Sequence, residues 1–176
     1  MAKYILSDPN FSDGTHSEVI EKIIDQFRGR PGVKLIGYEP DPDFDRLPAE
    51  LLGRPEAVRE ALLDAAGAAY ELIDMEKQRG RHPRIGAVDT IEIYPAKDIT
   101  IEECRDFAEG LGRELFKRYA VPIYFTGKNA RKLADDVKKH ARGHLPALES
   151  LHVELVPASG RERPEHRPDA EREYHH

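Results

Sequence analysis

The stretch from Pro55 to about Lys77, PEAVREALLDAAGAAYELIDMEK, is rich in alanine, leucine and glutamate and carries proline only at its start. Alanine and straight-chain residues give up little freedom in a helix, and a first-turn proline removes only an N–H that has no intrahelical partner. The segment reads as a long helix closing near Gly80, and a helix of that length needs a surface on which to bury its apolar side. The segments around it supply strands. KYIL reads as a short buried strand, followed by the turn-rich SDPNFSDG. From Ser17 to Phe27, residues Val19, Ile20, Ile23, Ile24 and Phe27 recur at helical spacing until RGRPG breaks the pattern. VKLIGYE reads as a strand, PDPDFDRLPAELLG as an acidic loop with a weak strand near 49–52.

Beyond the long helix, DTIEIYPA alternates as a strand with one covered face would. Thr100 and Glu103 have the spacing of a capping box, opening a second long helix whose apolar stripe is Ile101, Cys104, Phe107, Leu111, Leu115 and Phe116. VPIYFTG then reads as a last core strand, with a short basic helix near 130–140. Two long helices separated by strands predict an α+β protein with a ferredoxin-like open sheet and helices mainly on one face. With 176 residues, 39% of them hydrophobic, the chain can build one core, so a single domain over 1–156 and a polar tail over 157–176 are expected. The formal net charge of −6 speaks against a nucleic-acid-binding surface. One cysteine excludes a disulfide framework, and the absence of a long apolar leader or of a membrane-length apolar run predicts a cytoplasmic location with no membrane partner.

The chemistry concentrates in GRHPRIGAVD, residues 80–89. His82 lies between Arg81 and Arg84, whose charges would favour the neutral, proton-accepting imidazole; the alternative is a merely solvated histidine in a surface loop. In EPDPDFDR, the carboxylates of Glu39, Asp41, Asp43 and Asp45 stand beside Arg46. They lack the glycine and closing glutamate of a calcium loop, so a solvated acidic turn is expected. PNFSDG offers Asn10, Ser12 and backbone amides that could cradle an anion, although no Walker or GxGxxG pattern is present. No zinc-type histidine spacing occurs, and no metal is predicted.

Four segments, PNFSDG, AAYELIDMEKQRGRHPRIGAVD, ITIEEC and VPIYFTG, occur in an order that closely resembles the amino-terminal subdomain of the glutamate formimidoyltransferase and formiminotransferase-cyclodeaminase family. The resemblance spans residues 4 to 130 and implies a ferredoxin-like unit, half of a transferase that binds folate between two such units. It implies that His82 is catalytic, managing protons while tetrahydrofolate, the acceptor substrate, attacks N-formimidoylglutamate, in histidine degradation. It further implies substrate or folate contacts from Asn10, Ser12, Glu39, Asp41, Asp43, Arg46, Arg84 and Gly86. Phe44 and Asp45 stand where the family carries histidine and asparagine, and RPDAER departs from its folate-contacting segment. A homodimer, or a partner carrying the second subdomain, is expected to complete the site. The alternative is a non-catalytic folate-binding or regulatory module.

Overall fold

A computed structural model describes residues 1–77, 80–82 and 85–126, and the backbone of 151–155. The order is β1 (Tyr4–Phe11), α1 (Ser17–Ile24), β2 (Val33–Tyr38), β3 (Leu47–Gly53), α2 (Pro55–Leu72), β4 (Val88–Lys97), α3 (Ile101–Tyr119), β5 (Ile123–Phe125) and β6 (Leu151–Leu155). The sheet runs β2-β3-β1-β4-β6-β5. Its first four strands are antiparallel, β2 on β3, β3 on β1 and β1 on β4, whereas β6 joins β4 and β5 in parallel. The β1–β4 portion is the βαββαβ ferredoxin-like unit expected, extended at the β4 edge by α3, β6 and β5.

Strand periodicity explains why one face carries the core. In β1, Ile5, Ser7, Pro9 and Phe11 are buried while the intervening residues are half-buried. Leu47, Ala49 and Leu51 of β3 and Ile91 and Ile93 of β4 join Ile23, Ile24, Leu62, Leu63 and Leu111 from the helices in one hydrophobic cluster. The central helix α2 turns four alanines, Ala61, Ala65, Ala66 and Ala69, into that core. Small side chains let it approach its neighbours closely: a Cβ on Gly67 would meet the Tyr119 hydroxyl at 2.5 Å, where Tyr119 reaches from α3 to donate to the Leu63 carbonyl at 2.8 Å.

Several boundaries differ from the sequence reading, each for a physical reason. β1 continues through Asp8, Pro9 and Asn10, which had the composition of a turn; its pairing with β3 runs from Ile5 to Ser7 and resumes at Asn10, so Pro9 occupies a gap in that ladder. The weak strand becomes the inner strand β3. α2 stops at Leu72 because Ile73 turns extended into the core and the Asp74 carboxylate captures the Glu76 N–H at 3.0 Å. β5 is a three-residue edge strand, and Leu151–Leu155 enters the sheet as β6 between β4 and β5. Phe116 is 60% exposed and leaves the α3 stripe. The basic segment near 130–140, Arg84 and the tail 157–176 lie outside the described residues.

The capping box forms as spaced: Glu103 N–H donates to Thr100 Oγ1 at 3.2 Å and Thr100 N–H to Glu103 Oε2 at 3.0 Å. Thr100→Ala is expected to lower unfolding free energy by about 1 kcal/mol, read by urea denaturation, whereas the exposed Phe116→Ala changes it by no more than about 0.5 kcal/mol. A larger loss from Phe116→Ala than from Thr100→Ala would contradict this account of α3.

Candidate functional site

Ser12 follows directly on β1, and its N–H donates to the Ala87 carbonyl at 2.9 Å, tying the strand's end to the segment entering β4. Its hydroxyl donates to the Gly86 carbonyl at 2.7 Å and accepts from Arg46 Nη1 at 2.8 Å. Arg46, the residue before β3, turns Nη2 to Asp89 Oδ2 at 2.7 Å and to His82 Nδ1. The Arg46 and Asp89 side chains are only 5% and 7% exposed. Ser12, His82 and Asp89 thus meet around the one guanidinium of Arg46.

The loop carrying Arg46 is held by close backbone approach. Asp41 and Arg46 exchange backbone hydrogen bonds at 2.8 and 3.0 Å, and Asp41 Oδ1 accepts from the N–H groups of Asp43 and Phe44 at 2.9 and 3.1 Å. Asp45 is buried with φ of 55°, a left-handed conformation that aspartate tolerates better than most residues, and its Oδ1 accepts from Gly14 N–H at 2.8 Å. A Cβ on Gly14 would lie 2.1 Å from the Asp41 carbonyl, and one on Gly80 2.3 Å from the Phe44 carbonyl. Arg81 N–H donates to Asp43 O at 3.2 Å. The acidic loop is therefore wedged between the turn after β1 and the histidine segment.

Three expectations change. The acidic turn is not uniformly solvated: Asp43 is exposed and Asp41 half-buried, but Asp45 and Arg46 are buried because Gly14 and the Ser12–Asp89 cluster take their polar groups. The arginine seen at the His82 ring is Arg46, distant in sequence, which the sequence reading had not placed there. The turn amides are not an open anion cradle, since Asp45 takes the Gly14 N–H and Asp13 Oδ1 takes those of Thr15 and His16 at 3.0 and 2.9 Å. Of the sequence candidates, His82, Ser12, Arg46 and Gly86 come together. Asn10 lies in β1, its buried Oδ1 without a hydrogen-bond partner among the described residues. Glu39 is exposed at the end of β2. Asp89 was missed as a site residue; its signal was its place closing the GRHPRIGAVD segment.

A second feature occupies the sheet face away from the helices. An open groove of about 510 Å³ is lined by Asp8, Gly37, Tyr38, Glu39, Pro48, Ala49 and Glu50. Asp8 pairs across the ladder with Glu92, and burial together with the charges of Glu50 and Glu92 pushes its carboxyl up to about 7. Among the described residues no helix is long and apolar enough to cross a membrane, and no group of three or more histidine, cysteine or acidic side chains is placed to hold a metal ion.

Residues 4–168 match the family of the formiminotransferase domain, N-terminal subdomain. Formimidoyltransferase-cyclodeaminase of Sus scrofa is 37% identical over 157 residues, covering 89% of this chain and 28% of that protein. The Gallus gallus protein of the same name is 37% identical over 169 residues, covering 96% of this chain and 30% of its own. Glutamate formimidoyltransferase of Streptococcus pyogenes serotype M1 is 33% identical over 132 residues, covering 75% of this chain and 44% of its own. The chain thus spans less than half the length of these relatives.

The raised Asp8 carboxyl makes stability depend on pH in a stated direction. Its folded value of about 7 exceeds the ordinary 3.8, so the folded state holds the proton more tightly. That contribution is fully present below 3.8 and is lost as pH rises through about 7. Asp8→Asn is expected to raise the Tm above neutrality and to flatten its decline between acid and neutral pH. Parallel Tm–pH profiles for the two proteins would show that Asp8 is not strained by Glu50 and Glu92.

Proposed function

The chain belongs to the formiminotransferase family through its N-terminal subdomain, and from that premise we propose that it takes part in moving a formimidoyl group from N-formimidoylglutamate to tetrahydrofolate, a step of histidine degradation. The observation that carries the reading is the seating of His82. The segment that bears the family resemblance brings its histidine onto a buried arginine, which is itself held by Asp89 and Ser12. The His82 residue is itself exposed, open to a ligand, while the buried arginine holds its ring at Nδ1.

The chemistry suits the arrangement. N5 of tetrahydrofolate bonds to the formimino carbon, the carbon becomes tetrahedral, and the bond to the glutamate nitrogen then breaks. N5 loses a proton and the departing nitrogen gains one. An imidazole placed at these nitrogens lowers the barrier by proton transfer or hydrogen bonding. In this proposal His82 serves the reacting nitrogens, Arg84 holds a substrate carboxylate, and Asn10, Glu39, Asp41 and Asp43 border the bound molecules. Arg46, Ser12 and Gly86 shape the site from within. Tetrahydrofolate is a substrate, and no metal is required. The open sheet face is closed by a second transferase subdomain, on further sequence, on a partner chain or in a second copy.

A second reading has one observation in its favour. Asp8, Glu50 and Glu92 gather negative charge on the open face, which opposes the approach of the folate carboxylates, as it would in a module that kept the fold without the activity. Turnover separates the two. With the protein alone and together with a second transferase subdomain, transfer from N-formimidoylglutamate to tetrahydrofolate is expected, and His82→Ala should lower it by about 10²- to 10⁴-fold with the Tm nearly unchanged. Wild-type protein that transfers nothing in either form would overturn the transferase reading.

A further inference from the structure

The contact between Arg46 and His82 fixes where the imidazole keeps its proton. A guanidinium offers five N–H groups and no acceptor. Arg46 Nη2 therefore donates to His82 Nδ1, and Nδ1 must carry a lone pair. The neutral ring then has its hydrogen on Nε2, and the imidazolium form, with N–H at both positions, does not fit this contact.

The guanidinium is not free to turn away. Its Nη1 donates to Ser12 Oγ, and that hydroxyl has already committed its own proton to the Gly86 carbonyl. Its Nη2 is held by Asp89 Oδ2 at 2.7 Å, and its backbone is locked to Asp41 at both N–H and C=O. Because the guanidinium is planar, fixing both Nη atoms fixes the direction of the bond to His82. Asp89 stands at the start of β4, where the ladder with β1 holds its backbone neighbours Val88 and Thr90.

We infer that Asp89 is a positioning residue which, acting through Arg46, holds His82 as the Nε2–H tautomer, so that the histidine meets its ligand as a hydrogen-bond donor. The consequence for the reaction rests on the transferase reading; the tautomer does not. While Arg46 stays in place, Nε2 cannot accept the proton of the attacking amine, because that would require Nδ1–H to face Arg46 N–H. The amine proton passes to water, water returns a proton to the departing glutamate nitrogen, and His82 Nε2–H donates a hydrogen bond to a nitrogen lone pair of the formimino group throughout.

The test is nitrogen NMR of the histidine rings in the full chain at alkaline pH, with His82→Ala supplying the assignment. In the wild type, the His82 Nε2 signal should lie at the protonated limit and Nδ1 at the hydrogen-bonded acceptor limit. In Asp89→Asn both should move toward the averaged values of a solvated histidine, and Asp89→Glu should restore part of the separation. Averaged signals in the wild type, or a proton on Nδ1, would overturn the inference even if Asp89→Asn failed to fold. An Asp89→Asn spectrum identical to that of the wild type would remove Asp89 from the role. If transfer is measured, Asp89→Asn should lower kcat with little change in KM. Absence of transfer by the wild type would sink the transferase reading while leaving the tautomer result standing.

Discussion

The buried pair of Arg46 and Asp89 is the interaction on which the site depends. Removing two charges from water is costly, and their attraction offsets the cost only when the remaining polar atoms find partners. Here Ser12 at the end of β1, Asp41 across its loop and His82 in the connection before β4 take up polar groups of Arg46, while Asp89 Oδ1 is buried with no hydrogen-bond partner among the described residues. The pair stands 43 positions apart along the chain, so it can form only once β3 and β4 lie on either side of β1. Pairing the two Nη atoms of this guanidinium therefore requires the central sheet order, and the sheet order in turn presents the histidine.

The same architecture divides the sheet into two unlike faces. Toward the helices, alternating apolar residues of β1, β3 and β4 pack against a helix whose alanines allow close approach. On the other face, Asp8, Glu50 and Glu92 come from three adjacent strands, and partial burial, with repulsion from Glu50 and Glu92, pushes the Asp8 carboxyl up to about 7. A face of this kind is tuned by pH and by whatever it meets. The charge lies within residues 4–168, the part of the chain that matches the family's N-terminal subdomain.

Local signals were legible in the sequence and relational ones were not. The alanine-rich α2 and the Thr100–Glu103 capping box depend on residues within a few positions of one another, and both formed. β1 was read too short because Asp8, Pro9 and Asn10 have turn composition; only the flanking strands, which absorb the missing proline N–H in a gap of the ladder, make it a strand. At the site, His82 was visible from the segment around it, as a resemblance. Asp89 stood in that same segment without evident meaning, since its role exists only once Arg46 reaches it. Asp45 likewise looked like one more solvated carboxylate until Gly14 N–H supplied its partner.

The most direct test of this dependence is a double-mutant cycle in unfolding free energy on Arg46→Met and Asp89→Asn. Each single change leaves a buried charge without its counterion, and each should cost roughly 3–5 kcal/mol, while the double variant should cost well under the sum of the two. Additive losses would show that the two side chains contribute independently, and would contradict the claim that their pairing organises the site.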